Sequence, residues 1–326
     1  MTDIEAFLQQ AILQGKVEKT LNIYALRKLR EAMGWIKARI AYYGLDGLVP
    51  SQQARLAQLR QDVEDYMGGN FAGELRTQME GSEVLNTYID RQLELARGAV
   101  EATGGTVTRS LTTEQAINQG FRSVTINGIP WDEFVAVRLP RSVADKVSRF
   151  VSLGLLDSEA KTVAAFDNTV VRTTRTQVEA LITTGVHDTG SIAQQLIYQI
   201  ETTPKWQEDN QQVWSAMLDS SVCSTCVGLD GKRYDMGYVK VSPHPNCRCV
   251  LLPESFFYEK GQPVLRPVDG DKGVTEIPST KKATETWLKD KDNTATANAI
   301  FGVKRAERLR KGDISLDQAV KEMRGR

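Results

Sequence analysis

The chain is poor in the residues on which much hydrolytic chemistry depends. Its 326 residues include only two histidines and four cysteines. A cysteine nucleophile needs a partnering base and an oxyanion site, and metal-dependent nucleases of the HNH type need a histidine base beside further metal ligands. The E-x-E pair that is usual in arginine-modifying ADP-ribosyltransferases does not occur in the chain. The sequence therefore contains no complete catalytic constellation, and it predicts a protein that is not an enzyme.

Long apolar runs and net charge are lacking as well. No run of about 18 apolar residues occurs, so we expect no membrane span. The 41 Lys and Arg residues balance 41 Asp and Glu residues, which argues against a generally basic nucleic-acid coat but allows a local basic patch. The N-terminal stretch MTDIEAFLQQ lacks the features of a signal peptide, so we expect synthesis in a reducing cytosol. There, clustered cysteines more often hold a metal than form disulfides.

Apolar residues recur at helical spacing through the first hundred residues. This periodicity predicts helices over 22–44, 51–67 and 83–105, the second beginning after Pro50 with Ser51 as its cap. Residues 104–140 are β-branched and punctuated by glycine, which indicates a junction. Further helix starts are predicted where a capping residue is followed by a suitable partner. These pairs are Thr112 with Gln115, Ser142 with Asp145, Ser191 with Gln194, and Thr203 with Pro204.

These patterns predict an α+β fold that is predominantly helical. We expect a helical N-terminal region over 1–105 and an α+β domain over 106–260, with a small β element stapled by Cys and His side chains. Residues 261–326 read as a linker, extended over 261–282, and a tail of two or three short helices. Within that tail, GVKRAERLRKG is locally basic.

All four cysteines lie close together with one of the two histidines. The candidate metal ligands are Cys223, Cys226, His244, Cys247 and Cys249. The first two form a C-x2-C knuckle, and the length of the loop to the second group suits a small structural zinc site. Asp230 and Gly231 supply a turn within that loop. The other histidine, His187 in GVHDTG, is expected in a turn at the surface.

Zinc takes four ligands in a tetrahedron, so one of these five donors is spare. If Cys247 and Cys249 lie on a regular strand, their side chains point to opposite faces, which favours His244 and Cys249 as ligands beside the knuckle. A bend at Arg248 would instead let both cysteines bind and release His244. A disulfide such as Cys223 with Cys249 is the alternative to zinc, and cysteines packed as small apolar groups are a third interpretation.

Two stretches, VWSAMLDSSVCSTCVGLDGKRYDM and SPHPNCRCVLLP, together resemble the phage head morphogenesis or minor head protein family, typified by protein F of phage Mu. The matching residues are Trp214, Asp219, Cys223, Cys226, Leu229, Asp230, Gly231, Pro243, His244, Pro245, Cys247, Arg248, Cys249 and Pro253. Upstream, Arg175 lies in a stretch similar to a family helix, with Gln177 at the position of an acidic residue. The resemblance covers roughly residues 110–326 and places Trp214 on a helix.

The resemblance implies a structural protein carried in a few copies in the virion, in the head interior or at the portal vertex. Its expected partners are the portal protein, other head proteins (capsid or scaffold) and packaged DNA, and its expected role is head assembly or DNA delivery. No established catalytic residues accompany it. We further expect Arg248 to pair with Asp219 or Asp230. The rival hypotheses are a virion-carried nuclease or ADP-ribosyltransferase-like enzyme and a DNA-binding zinc module.

Overall fold

In the part of the chain that the structure describes, helices predominate and three small antiparallel sheets accompany them, which confirms the predicted α+β, predominantly helical fold class. The computed structural model describes residues 3–43, 53–126, 128–152, 164–219, 221–240, 242–254, 265–267, 274–276 and 280–324. Across these ranges, no helix combines the length and the apolar character that crossing a membrane requires.

The first half of the structure is almost entirely helical. Its α-helices are α1 (Asp3–Tyr42), α2 (Gln53–Tyr66), α3 (Ala72–Glu80), α4 (Glu83–Ala102), α5 (Thr113–Ser123), α6 (Trp131–Glu133), α7 (Leu139–Ser152), α8 (Arg172–Leu196) and α9 (Pro204–Asp209). Wider π-helical turns join α2 to α3 at Met67–Phe71 and α6 to α7 at Phe134–Arg138. Two more flank α8, at Asp167–Val171 and Ile197–Glu201. A short hairpin of β1 (Thr125–Ile126) and β2 (Ile129–Pro130) lies between α5 and α6.

The second half mixes strands with short helices. Its elements are β3 (Gln211–Ser215), α10 (Ser224–Leu229), β4 (Arg233–Asp235), β5 (Val250–Pro253), β6 (Leu265–Pro267), β7 (Val274–Glu276), α11 (Lys281–Lys289), α12 (Thr294–Phe301), α13 (Val303–Lys311) and α14 (Leu316–Arg324). In the three-stranded sheet, β3 lies between β4 and β5 and is antiparallel to both. The strands β6 and β7 pair within the predicted connector.

Helix α8 is the central element of the first hydrophobic core. It packs against α1, α4 and α5, and nearly every residue from Val178 to Gln195 is buried. Two of its glycines permit this close packing. A Cβ atom at Gly185 would lie 2.9 Å from the indole nitrogen of Trp131, and one at Gly190 would lie 2.6 Å from the hydroxyl of Tyr88.

The expectation that His187 occupies a surface turn is wrong. The residue lies inside α8 between those two glycines and is only 4% exposed. The glycines of GVHDTG, which favoured a turn, instead allow neighbouring helices to approach.

A buried ion pair ties the end of this helical segment to α4. Arg97 Nε and Nη2 each donate to one carboxylate oxygen of Glu201 at 2.8 Å. The same carboxylate accepts the backbone N–H of Leu111 at 2.7 Å, and Arg97 Nη2 also donates to the Leu111 carbonyl. This network therefore fixes the segment between α4 and α5 against the last turn of the central helix.

Two of the predicted helix starts are confirmed and two are wrong. Thr112 and Gln115 form a reciprocal capping box at α5, and Thr203 caps α9 with a proline at the first helical position. The predicted starts at Ser142 and Ser191 are wrong, because both serines lie within longer helices whose packing overrides the local signal. The predicted cap at Ser51 lies outside the described residues.

The predicted helices of the first hundred residues are present, and the first of them is longer than expected. Helix α1 contains the stretch from residue 22, and α4 ends just before Gly104, whose φ is +77°. Helix α2 continues through a π-helical turn into α3.

The placement of Trp214 on a helix is wrong, because it lies in the central strand β3. Asn210 ends α9, and the following residues pair with β4 on one side and β5 on the other. Trp214 is 1% exposed and belongs to a second hydrophobic core, which extends to Val320 in the C-terminal helices. Within residues 280–324, which the structure describes, four short α-helices form that C-terminal part, one more than the largest number expected. The domain limits 1–105, 106–260 and 261–326 stay predictions.

Candidate metal centre

The cysteine knuckle begins where the chain leaves the three-stranded sheet. Cys223 caps the short helix α10, and its sulfur accepts the backbone N–H of Cys226 at 3.3 Å. This turn directs both sulfurs to the same side of the loop. Cys226 is 1% exposed, whereas Cys223 is partly exposed.

The second group of donors lies in an irregular segment that returns to the knuckle before strand β5. Asn246 has a left-handed backbone with φ of +63°, and its N–H donates to Thr184 Oγ1 of α8 at 2.8 Å. Cys247 and Cys249 are both buried, and the regular strand begins only at Val250. The alternation that would separate the two cysteines therefore does not apply, and both approach Cys226.

The five candidate ligands meet in two overlapping groups of three. Cys223, Cys226 and His244 form one group, and Cys226, Cys247 and Cys249 form the other. Within each group the donor atoms all lie within 4.8 Å of one another, and Cys226 belongs to both.

Individual contacts within the centre are short. The Nε2 atom of His244 lies 2.9 Å from the sulfur of Cys223 and 3.3 Å from that of Cys226. The sulfurs of Cys226 and Cys247 are 3.8 Å apart. All four cysteines are free and no two are at disulfide distance, so the structure favours a metal-binding cluster over the disulfide alternative.

The histidine presents a defined nitrogen to the cluster. Its Nδ1 lies 2.7 Å from the carbonyl oxygen of Pro245, and a carbonyl can only accept. Nδ1 therefore carries a proton, and Nε2 is the nitrogen that faces the sulfurs and can give its lone pair to a metal. A hydrogen bond from the second ring nitrogen to a carbonyl is the arrangement usual for a metal-bound histidine.

Hydrogen bonding shifts the pKa values of the two donors on the more exposed side of the centre, Cys223 and His244. Contacts from Cys226, and then from the His244 imidazole, lower the pKa of Cys223 to about 4 against the opposing effect of burial. In return, the contact with Cys223 raises the pKa of His244 to about 9. Without a metal, the two side chains thus form a thiolate–imidazolium pair over a broad pH range. Thiolates and an imidazole nitrogen are donors that metal ions such as zinc accept.

A buried charged network, which the sequence did not reveal, lies beneath this segment. Lys240 is 1% exposed, and its Nζ donates to Asp188 Oδ1 at 2.6 Å and to Ser242 Oγ at 3.3 Å. His187 Nδ1 lies 3.5 Å from the same ammonium. Burial alone would lower the pKa of Lys240, but the negative charge of Asp188, followed by that of Cys247, raises it.

This network connects the metal-binding segment to the central helix. Asp188 Oδ2 is buried without a hydrogen-bond partner in the part of the chain that the structure describes. The adjacent residues His187 and Asp188 could have indicated this network in the sequence. The glycines beside them favoured a turn there instead. The ammonium of Lys240 fixes the start of the donor segment to α8.

The remaining motif residues shape the loop rather than donate to the cluster. Asp230 Oδ1 accepts the N–H of Ala216 at 2.8 Å, and its other oxygen accepts the hydroxyl of Thr284. Gly231 has φ of +75°, and its N–H donates to the Trp214 carbonyl, which confirms the predicted turn.

Two arginines of the motif have different surroundings. Arg248 pairs with Asp219, one of its two predicted partners. Arg175 pairs with Glu179 on the exposed surface of α8, at 2.9 Å, rather than with a residue of the cluster.

Comparison of the chain with protein-family models, with curated proteins and with solved structures finds no match. The assignment of a function therefore depends on the sequence motif and on the geometry of this centre.

Proposed function

We propose that the cluster binds one structural zinc ion. Zinc–sulfur bonds of about 2.3 Å at tetrahedral angles place two sulfurs about 3.8 Å apart. The sulfurs of Cys226 and Cys247 have this separation of 3.8 Å. Catalytic zinc sites keep a coordination position open to water. Here Cys226, Cys247 and Cys249 are each 1% exposed, so protein donors enclose most of the centre.

Zinc would join two segments that are held by different parts of the fold. The knuckle helix α10 packs against the terminal helix α14, where a Cβ atom at Gly228 would lie 2.9 Å from Val320. The second donor segment contacts α8 through Asn246 and Lys240. A metal bound to both segments would therefore stabilise the junction between the two hydrophobic cores.

We further propose that the protein is a phage minor head protein, acting in head assembly or DNA delivery at the portal vertex. The observation that supports this role is the convergence of the two halves of the head-protein motif at one centre. Asp219 and Arg248, which belong to different halves, also pair with each other. The portal protein and other head proteins are the proposed partners, and the role is structural.

Metal analysis tests the zinc proposal. Protein purified under reducing conditions should contain one zinc per chain, and denaturation in a chelator should then release four reactive thiols. Protein that contains no metal, or that yields two thiols because a disulfide has formed, contradicts the proposal.

The head-protein role requires a separate test. Mass spectrometry of purified virions of the encoding phage should detect the chain in a few copies, and a cryo-EM map of the head vertex should locate it. The rival hypothesis of an enzyme predicts turnover when the purified protein is incubated with DNA and a divalent metal, or with NAD and host lysate. Turnover that disappears in Asp219→Ala would overturn the structural role.

A further inference from the structure

A basic pocket lies on the helical segment that begins at Trp131, formed by residues with no role in the metal centre. Its volume is about 330 Å³. The lining residues are Arg138, Arg141, Ser142, Asp145, Lys146 and Arg149. Four of these side chains are cationic and one is a carboxylate. We name the four cations, Arg138, Arg141, Lys146 and Arg149, the basic face.

The opposite side of the same helix explains why these cations point outward. Val143, Val147 and Phe150 are buried in the first hydrophobic core, and α7 packs closely against α2. An amphipathic helix with this apolar side places its polar residues towards solvent. The basic face is therefore fixed in position by the core beneath it.

The carboxylates around the pocket are already engaged by other groups. Asp145 pairs with Arg60 of α2 at 2.9 Å, and Arg138 pairs with Glu133 at 3.3 Å. Arg141 and Arg149 are exposed, and neither has an ion-pair partner among the residues that the structure describes. Within the described ranges, these two guanidinium groups are therefore not neutralised by a carboxylate.

Lys146 likewise has no ion-pair partner in the part of the chain that the structure describes. Its ammonium donates to Gln177 Oε1 of α8 at 2.6 Å, and the same amide contacts Ser142 at 3.4 Å. A glutamine supplies a hydrogen bond without a negative charge. The pocket thus combines an exposed positioning contact with a net positive charge.

The arrangement is linear rather than cup-shaped. Arg138, Arg141 and Arg149 line the same pocket along the helical segment, and this row extends for about 16 Å from the first to the last at 1.5 Å per residue. Asp145, which is paired with Arg60, lies within the row, and Lys146 lies beside it. That length corresponds to about five nucleotide steps of 3.4 Å along one strand of a duplex. A small anion would occupy only one part of such a row, whereas a polyanion with regularly spaced charges matches its whole length.

We propose that the basic face binds the phosphate backbone of double-stranded DNA without reading its sequence. None of the residues that line the pocket is aromatic, and single-strand binding sites use aromatic side chains to stack unpaired bases. The preference for DNA over other duplexes rests on the proposed virion role. The geometry of the face itself is independent of the zinc centre.

The test uses the full-length, zinc-loaded protein and a fluorescent 25-base-pair duplex, with affinity measured by anisotropy over a range of salt concentrations. Each phosphate contact contributes about 0.9 to the slope of log affinity against log salt. The double variant Arg141→Gln/Arg149→Gln should therefore bind several-fold more weakly and show a slope smaller by about 1.8. The control Arg27→Gln/Arg30→Gln removes the same charge from exposed positions of α1 and should leave both quantities unchanged.

Variants of Gln177 test the proposal without removing any side chain of the basic face. Gln177→Glu places a carboxylate beside Lys146 with almost no change in volume, so it should weaken DNA binding, whereas Gln177→Met should weaken it less. Equal effects of the test and control double variants would overturn the proposal. So would an absence of salt-dependent binding, or stronger binding to phosphatidylglycerol vesicles than to the duplex. Failure here would leave the detection of the chain in virions unaffected, so the two proposals fail separately.

Discussion

Arg248 lies between two cysteines of the cluster, and its Nη2 is 2.6 Å from one oxygen of Asp219 and 2.7 Å from the other. Asp219 also accepts the N–H of Ser221 at 2.9 Å, in the turn that leads to Cys223. The Asp219 carboxylate therefore fixes the turn before the knuckle and also holds the segment that carries Cys247. The pair connects both halves of the centre without contributing a ligand.

The loss of this pair should weaken zinc binding. Arg248→Met retains the length of the side chain but leaves Asp219 without its guanidinium partner, and changes around metal ligands commonly cost 10–100-fold in affinity. We expect about a tenfold decrease, measured by competition with a chromophoric chelator. Arg233→Met, which removes a more exposed pair with Glu254 beside the same sheet, is the matched control. The two variants should differ, and identical affinities would show that the Arg248–Asp219 pair does not position the ligands.

Because Cys226 belongs to both groups of donors, its replacement should lower zinc binding more than the replacement of Cys223. Cys226→Ser removes a donor from both groups, whereas Cys223→Ser leaves the group of Cys226, Cys247 and Cys249 intact. Zinc stoichiometry measured after dialysis should thus be lowest for Cys226→Ser. Comparison of His244→Ala, Cys247→Ala and Cys249→Ala would then identify the spare donor, as the variant that retains a full equivalent of zinc. A Cys226→Ser protein that kept its zinc would contradict the shared role.

The thiolate of Cys223 should be reactive when the metal is removed. Its pKa is lowered to about 4, and that of His244 is raised to about 9. Between pH 5 and pH 8 the thiol is thus already deprotonated, and iodoacetamide should modify it at a nearly constant rate. An ordinary cysteine, with a pKa of about 8.5, would react about tenfold faster with each pH unit in this range. Peptide mapping should locate the label, and added zinc should prevent labelling.

The buried pair of Arg97 and Glu201 should be important for stability. Removal of one partner of a buried ion pair typically costs about 3–5 kcal/mol, so we expect Glu201→Ala to lower the free energy of unfolding by this amount at pH 7. Glu133→Ala, at an exposed pair, should cost less than about 1 kcal/mol. Urea denaturation of the two variants would provide the comparison. A cost for Glu201→Ala no greater than that of the control would show that the pair contributes little.

The same pair gives stability a defined dependence on pH. Burial would raise the pKa of Glu201, but hydrogen bonds from Arg97 and Leu111 outweigh it and hold the pKa below the ordinary value. The contribution is therefore complete above the unfolded pKa of about 4.3 and is lost as the pH falls through the lower, folded value. The stability difference between the wild-type protein and Glu201→Ala should decrease correspondingly in acid.

The sequence predicted the parts of the fold that depend on neighbouring residues. The capping box at Thr112 and the Thr203–Pro204 start need only residues within one turn, and both are present. The convergence of Cys223 with His244 was also predictable, because scarce metal-binding residues at this spacing have few other uses.

The errors arose where distant contacts decide the local structure. Gly185 and Gly190 favoured a turn, but their missing Cβ atoms make room for Trp131 and Tyr88. Trp214 followed a helical stretch, but pairing with β5, which lies far along the chain, makes it a strand residue. The ion pair of Asp188 and Lys240 could not be predicted from the sequence either, because the two residues are 52 positions apart.

That buried partnership has a kinetic consequence for the metal centre. To lift the donor segment away from α8, the protein would have to separate Lys240 from Asp188 in a medium of low polarity, where the attraction between opposite charges is strong. Departure of the metal would therefore leave His244, Cys247 and Cys249 near their bound positions. Such a preorganised site rebinds an ion without an ordering step, which removes the conformational cost of rebinding.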